Sequence, residues 1–279
     1  MAPSIPQRGK RQQATYCHQV SYSVRMILTF IGTRSSDPPG CEGHLLQSCL
    51  TVETDQVRLQ IDCGEDHAHR LAQLAPDILL LTHGHDDHAG GLHPDPPCPV
   101  WAGEPTRNLL LQRGLTQVGL LHLGQPLVLK DLTVLPFEVE HSLRAPAIGF
   151  RIEAGSRAVI YLPDVAALGD GDSMLPGADL YIGDGTCFDS SLVRVEQGHP
   201  CGHAGIISQL AWSARTGIRQ VIFSHCGPEI CADRDRAGRT LAGLAARLGL
   251  HAAFALDGQT VNLPDRADRA RPDSRTGSN

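Results

Sequence analysis

The sequence predicts an α+β protein made of two sheets with helices packed over them, on three observations. Short apolar runs bounded by Gly, Pro and Asp recur in two consecutive sets, as strands do. Segments with apolar residues three and four apart lie among and after them, as expected of helices covering a sheet. Hydrophobic residues make up 41% of the 279, enough for a substantial core in one large domain or two tightly joined halves. With only 4% aromatic residues, aliphatic packing must dominate that core.

In chain order, Met26-Ile27-Leu28-Thr29-Phe30 begins the first strand, near 26–31, and further strands are expected near 47–53, 57–62, 78–82 and 99–102. Helices belong near 66–74 and 105–113. The second set places strands near 126–129, 132–139, 147–153, 157–161, 179–183 and 220–224, with helices near 203–215 and 234–248. Ile78-Leu79-Leu80-Leu81 lies between Pro76 and Gly84, and its unbroken apolar character marks a strand buried on both faces.

The two ends differ from this middle. Residues 1–25 are polar and carry Arg8, Lys10, Arg11 and Arg25 with no acidic residue, so they are expected to be a disordered or loosely ordered extension, with Met26 a candidate natural start. From 264 to 279, Asp, Arg, Pro, Ser and Gly prevail without periodicity, which predicts a disordered tail. Residues 26–263 are left as the folded domain.

Composition excludes several classes. No stretch approaches the ~20 apolar residues that span a bilayer, and the basic N-terminal residues are not followed by the apolar segment of a secretory signal. A cytoplasmic location is expected. The nine cysteines are odd in number and include no CxxC pair, which favours reduced thiols over a disulfide framework and gives no structural metal site. Cys63 and Cys226 adjoin candidate site residues and are expected to be packing residues.

The chemistry is concentrated in Thr82-His83-Gly84-His85-Asp86-Asp87-His88, which follows the strand at 78–82. Neutral imidazole and carboxylate hold zinc, manganese or iron at about 2.0–2.2 Å, and a catalytic centre needs several converging on one point. Residues two apart in extended chain point the same way, so His83 and His85 can reach one ion together. A helix starting at Asp87 would send Asp87 and His88 toward a second ion.

This His-x-His-x-Asp-His pattern resembles the signature of the metallo-β-lactamase superfamily of hydrolases. The other motifs of that superfamily have counterparts in order: Asp62-Cys63-Gly64 after an apolar run, Glu140-His141-Ser142, Tyr161-Leu162-Pro163-Asp164, and Phe223-Ser224-His225. The resemblance covers about residues 26–263. It implies an αββα four-layer sandwich and two divalent ions, with zinc first and manganese or iron as alternatives. His83, His85 and His141 would bind one ion, Asp87, His88 and His225 the other, and Asp164 both. Asp62 would support the ligand turn. Two ions about 3.5–4 Å apart would share a hydroxide for hydrolysis.

Gly198-His199-Pro200-Cys201-Gly202-His203 is similar to a segment with which phosphodiesterase branches of the superfamily supply a histidine to the reaction; these include tRNase Z and the phosphodiesterase of phosphonate catabolism. Asp87 and His203 are therefore the catalytic candidates, with His203 as general acid. His199 and Arg144 are weaker candidates for anion contact.

Charge bears on the substrate. The net charge is −6, and without the two ends 16 basic residues face 27 acidic ones. Such a body lacks the basic stripe of a long-polyanion binder. The tRNase branch also inserts an arm for tRNA between its third-motif histidine and bridging aspartate, and only 22 residues separate His141 from Asp164. A small phosphodiester is expected as substrate, with no long nucleic acid and no membrane partner; a homodimer is the commonest oligomer. The alternatives are a lactone, ester or thioester hydrolase, an iron-dependent redox protein, or a metal-binding protein without turnover.

Overall fold

The computed structural model describes residues 24–36 and 40–266. The expectations for the two ends concern mainly residues 1–23 and 267–279, outside the described residues. At the C-terminal side the ordered chain extends beyond residue 263: Pro264 accepts a hydrogen bond from Arg157, Asp265 one from Ser156, and Arg266 reaches Asp179.

The strands are β1 (Met26–Gly32), β2 (Cys49–Glu53), β3 (Arg58–Ile61), β4 (Ile78–Leu81), β5 (Val100–Ala102), β6 (Val118–Leu120), β7 (Leu127–Leu129) and β8 (Leu132–Glu138). They continue with β9 (Ile148–Ala154), β10 (Arg157–Tyr161), β11 (Leu180–Asp184), β12 (Arg194–Glu196), β13 (His199–Cys201), β14 (Gln220–Ser224), β15 (His251–Phe254) and β16 (Thr260–Leu263). The helices are α1 (Leu71–Leu74), α2 (Asp86–Ala89), α3 (Glu104–Gln112), α4 (Ile206–Thr216), α5 (Pro228–Ala232) and α6 (Arg234–Arg247).

These form two seven-stranded sheets, in the orders β16-β1-β2-β3-β4-β5-β6 and β15-β14-β11-β10-β9-β8-β7, with a separate β12–β13 hairpin. Alternation along each central strand builds the layers. In β4, Leu80 joins the central core while Leu79 and Leu81 face the cluster that includes Leu110 of α3. In β10, Val159 and Tyr161 face the central core, and Ala158 and Ile160 pack in the cluster with Leu210 of α4 and Leu241 of α6. Helix, sheet, sheet and helix follow one another, which is the αββα sandwich.

Several local expectations need correction. The helix expected at 66–74 is a 3-10 turn at Glu65–His67 followed by the short α1, which stops where Ala75 takes a left-handed φ of 47°. The helix expected from 203 starts at Ile206, after Gly205 as its N-terminal cap, so His203 lies in the preceding loop. Strands β6, β12, β13, β15 and β16 had no counterpart in the sequence reading. They are three or four residues long, and β15 and β16 alternate exposed and half-buried positions at sheet edges. The reduced-thiol expectation fails at one place: Cys41 and Cys231 form a disulfide, with Cα atoms 5.6 Å apart. Among the described residues the other six cysteines are free and buried.

Candidate metal centre

The site is assembled from loops at strand ends. β4 runs into Thr82 and His83, and His85 caps the N-terminus of α2, which carries Asp87 and His88. His141 follows β8, Asp164 follows β10, Asp184 ends β11, and His225 follows β14. His225 takes a left-handed φ of 57° and Asp62 one of 61°, conformations that non-glycine residues hold only where surrounding structure fixes them.

Three imidazoles converge first. His83 Nε2 lies 2.9 Å from His85 Nδ1, which is 3.4 Å from His141 Nε2. A second group joins Asp87, His88 and His225, with His225 Nε2 3.1 Å from Asp87 Oδ2. Asp164 lies between them: its oxygens are 2.6 Å from His88 Nε2, 3.5 Å from His225 Nε2 and 3.8 Å from His141 Nε2. Within each set the candidate donor atoms lie within 4.8 Å of one another. The structure thus brings all seven sequence-derived candidates into one cluster.

The far nitrogens of these rings are held by the protein. His141 Nδ1 donates to Gly202 O at 3.0 Å, and His88 Nδ1 to Asp62 Oδ2 at 2.9 Å. His83 Nδ1 is 3.0 Å from Thr82 Oγ1, whose hydroxyl donates to Asp62. His225 Nδ1 is 3.1 Å from Thr186 Oγ1, whose hydroxyl donates to Asp184 at 2.6 Å. Such partners set the ring tautomer and leave the opposite nitrogen with a lone pair facing the cluster. Asp62 itself stays outside every donor group.

These residues fit divalent ions. The donors are imidazole and carboxylate. His88 Nε2 and Asp164 Oδ2 are buried, have no well-aligned hydrogen-bond partner, and face each other at 2.6 Å as an ion pair. Burial alone would raise Asp164, but His225, His88 and His141 overcome it and hold its carboxyl well below the usual range. Burial would lower His225, but Asp164, Asp184 and Asp87 raise it to about 10. Burial and the neighbouring His88 together push His83 well down. Opposed shifts of this size are typical of functional clusters.

His203 stands at the edge of the cluster with its side chain 23% exposed, and it and His85 are the members that are not fully buried. Its Nδ1 is 2.8 Å from Asp184 Oδ2 and 3.3 Å from Asp164 Oδ1, and its ring stacks on His225 at 5.5 Å. Burial lowers its proton affinity, but Asp184 and Asp164 outweigh this and raise it. Gly202 makes the turn before it: φ is +107° and a Cβ there would clash with Leu192 O. No role for Thr82, Asp184 or Thr186 follows from the sequence: Thr82 adjoins His83, but Asp184 and Thr186 lie 19 and 17 residues from His203, and nothing local marks them.

The weaker candidates lie apart. His199 is exposed and reaches Glu140 at 3.4 Å, and Arg144 is exposed on the loop after His141. The Cys63 thiol is pushed up to about 12 by burial and by Asp62, so it behaves as a packing residue. Beside His141 opens a cavity of about 530 Å³, bounded by Pro105, Leu121, Leu143 and Ile148.

Two sheets between helices, with a buried cluster of imidazoles and carboxylates at strand ends able to hold a metal, define a protein of the metallo-hydrolase fold. The chain belongs to the β-lactamase superfamily, whose domain model matches residues 58–226 and so spans every residue of the cluster. It is 28% identical over 145 residues to a ribonuclease Z of Methanopyrus kandleri, covering 46% of this chain and 50% of that one. The chain spans about half the length of the curated relatives it matches. Among solved structures, the metallo-β-lactamase fold protein YhfI from Bacillus subtilis matches with a TM-score of 0.68 at 18% identity, over 85% of this chain and 99% of that one. A diphosphatase of the PhnP family matches with a TM-score of 0.65 at 19% identity, over 86% and 98%. At these identities the structural likeness establishes the fold alone. No helix among the described residues is long and apolar enough to cross a membrane.

Proposed function

We propose that the protein is a dinuclear metal-dependent hydrolase acting on a small phosphodiester, with His203 as general acid. In this reading His83, His85 and His141 hold one ion, Asp87, His88 and His225 the second, and Asp164 both. Zinc is the first choice, and manganese or iron suit the same donors. When bound, such a pair supplies a nucleophilic hydroxide at neutral pH and an electrophile for the phosphoryl oxygen.

The observation that carries the phosphodiester reading is the Asp184–His203 pair. Asp184 accepts the Nδ1 proton at 2.8 Å and fixes the ring, which leaves Nε2 to deliver a proton toward the cleft. An alkoxide is a poor leaving group and needs that proton, whereas a thiolate departs without one. The acidic balance of the domain and the single β9–β10 hairpin between His141 and Asp164 support a small substrate over a long nucleic acid. The ribonuclease Z and diphosphatase likenesses agree with phosphoester chemistry.

His203→Ala is expected to lower kcat by about 10² or more with metal content retained. Turnover of bis(p-nitrophenyl) phosphate, cyclic nucleotides, lactones and thioesters by metal-analysed protein checks the reaction class. Near-normal turnover by the variant of a diester whose leaving group is an alkoxide, such as a cyclic nucleotide, removes His203 from the chemistry; p-nitrophenolate departs without a proton and does not test it. A lactone, ester or thioester substrate is the second reading, favoured by one observation: no Lys or Arg lines the cavity beside His141. Activity confined to those substrates would replace the phosphodiester.

A further inference from the structure

The walls of the cavity beside His141 divide by chemistry. One side is apolar, formed by Leu120, Leu121, Leu143, Ala147 and Ile148, with Leu123 at the rim. Leu123 is 49% exposed and Leu143 38%, so both present apolar surface to solvent in the cavity they line. The other side carries three carboxylates, Glu104, Glu138 and Glu140. All three are held by regular or pinned backbone. Glu104 opens α3 and Glu138 closes β8, while Glu140 exchanges backbone hydrogen bonds with Ala166 and Ala167. No Lys or Arg is among the lining residues; the basic groups there are the imidazoles of His122, His141 and His199, and His199 lies 3.4 Å from Glu140.

We propose that this cavity is the subsite for one ester arm of the substrate, and that the arm is apolar and free of negative charge; the assignment rests on the phosphodiester reading above. His141 joins the cavity to the cluster, so a phosphate held there extends one arm directly over the leucines. An arm ending in a further phosphate or a carboxylate would meet three carboxylates, Glu104 and Glu138 exposed and Glu140 half-buried, a like-charge arrangement that disfavours such ligands. An aromatic or aliphatic arm instead displaces water from apolar surface. At about 530 Å³ the cavity lies within the ordinary range of small-ligand sites, roughly 300–1,000 Å³. The substrate class is thereby narrowed to diesters with one uncharged or cationic apolar arm. Nucleotides bearing additional phosphates are excluded.

The test compares phenyl p-nitrophenyl phosphate with its 4-carboxyphenyl analogue on metal-loaded protein. Calorimetric binding of phenylphosphonate and 4-carboxyphenylphosphonate is measured in parallel, because it does not depend on turnover. The uncharged arm is expected to be preferred by about tenfold or more in kcat/KM and in Kd. In the Glu104→Gln, Glu138→Gln, Glu140→Gln triple variant, that preference should fall to about threefold or less. Turnover of both diesters with equal kcat/KM overturns the subsite and leaves the phosphodiester reading intact. A binding preference with no turnover of either diester keeps the subsite and overturns the reaction. A preference that survives in the triple variant excludes the carboxylates as its cause and overturns the proposal.

Discussion

Two hydroxyls organise the cluster from behind. Thr82 passes the hydrogen bond of His83 to Asp62, and Thr186 passes that of His225 to Asp184, so each sheet contributes one imidazole–hydroxyl–carboxylate relay. Thr82→Val keeps the shape and removes the relay. It is expected to weaken metal affinity by about 10- to 100-fold, measured by competition with a chromogenic chelator, and unchanged affinity would mean that the hydroxyl is dispensable. Asp184 has a second task as the positioning residue of His203, and it is ionised for it. Burial opposes ionisation, but His203 and His225 draw its carboxyl down to about 2. Asp184 in turn raises His203, so Asp184→Asn lets the acid lose its proton at lower pH. The alkaline limb of the kcat–pH profile should therefore move to lower pH, with kcat reduced by about 10-fold or more. A merely structural Asp184 would lower kcat without moving the limb.

At the scale of elements, β10 and β11 are clamped where they start. Asp179 accepts hydrogen bonds from Ala158 N at 3.0 Å, Arg157 at 2.6 Å and Arg266 at 2.9 Å, which ties both strands to residues 264–266. Burial disfavours its charge, but the Ala158 amide, Arg266 and Arg157 prevail and lower its pKa. A depressed carboxylate contributes stability above its unfolded pKa, about 3.9, and loses it as pH falls through the folded value. Asp179→Asn is expected to cost about 1.5 kcal/mol at pH 7. In urea unfolding the gap from the parent should narrow steadily as pH is taken below about 3.9, and a gap independent of pH would refute the assignment. The strands that bear ligands were legible for a related reason. β4 and β10 are buried on both faces, so their sequences are continuous apolar runs. The edge strands β15 and β16 bury one face only in part and are short, so no run or strong alternation announces them.

Across the whole molecule, the Cys41–Cys231 disulfide closes a separation of 190 residues, joining the loop after β1 to the end of α5. A crosslink over so long a loop restricts the unfolded chain. Cys41→Ser, or reduction of the parent, is expected to remove about 2–4 kcal/mol of stability, read from denaturant midpoints with and without reductant; coincident midpoints would show that the bond contributes nothing. The same scale decides the cavity. Its carboxylates come from α3, β8 and the segment after it, and its leucines from the β6 end and the loop after His141. Residues 138–148 supply parts of both walls, but Glu104, Leu120, Leu121 and Leu123, which complete them, come from elsewhere in the chain.

The sequence by itself determined the ligand types, their order along the chain and the apolar strands that precede them, because metal chemistry restricts donors to a few residue types and buried strands leave continuous hydrophobic runs. His83 to His88 could be read locally, since two-residue spacing and a helix start set the directions of neighbouring side chains. Only the tertiary structure decided most of what lies behind those candidates: Asp184 under His203, Gly202 against His141, Cys41 bonded to Cys231; the support expected from Asp62 takes the form of an acceptor for His88. These partners are 19 to 190 residues apart, and the distance between two side chains is set by how the sheets pack. Residue types and local periodicity carry no record of that packing, which is why the donors were legible while Asp184, Gly202 and the two threonines were not, and why Asp62 was expected only through the resemblance.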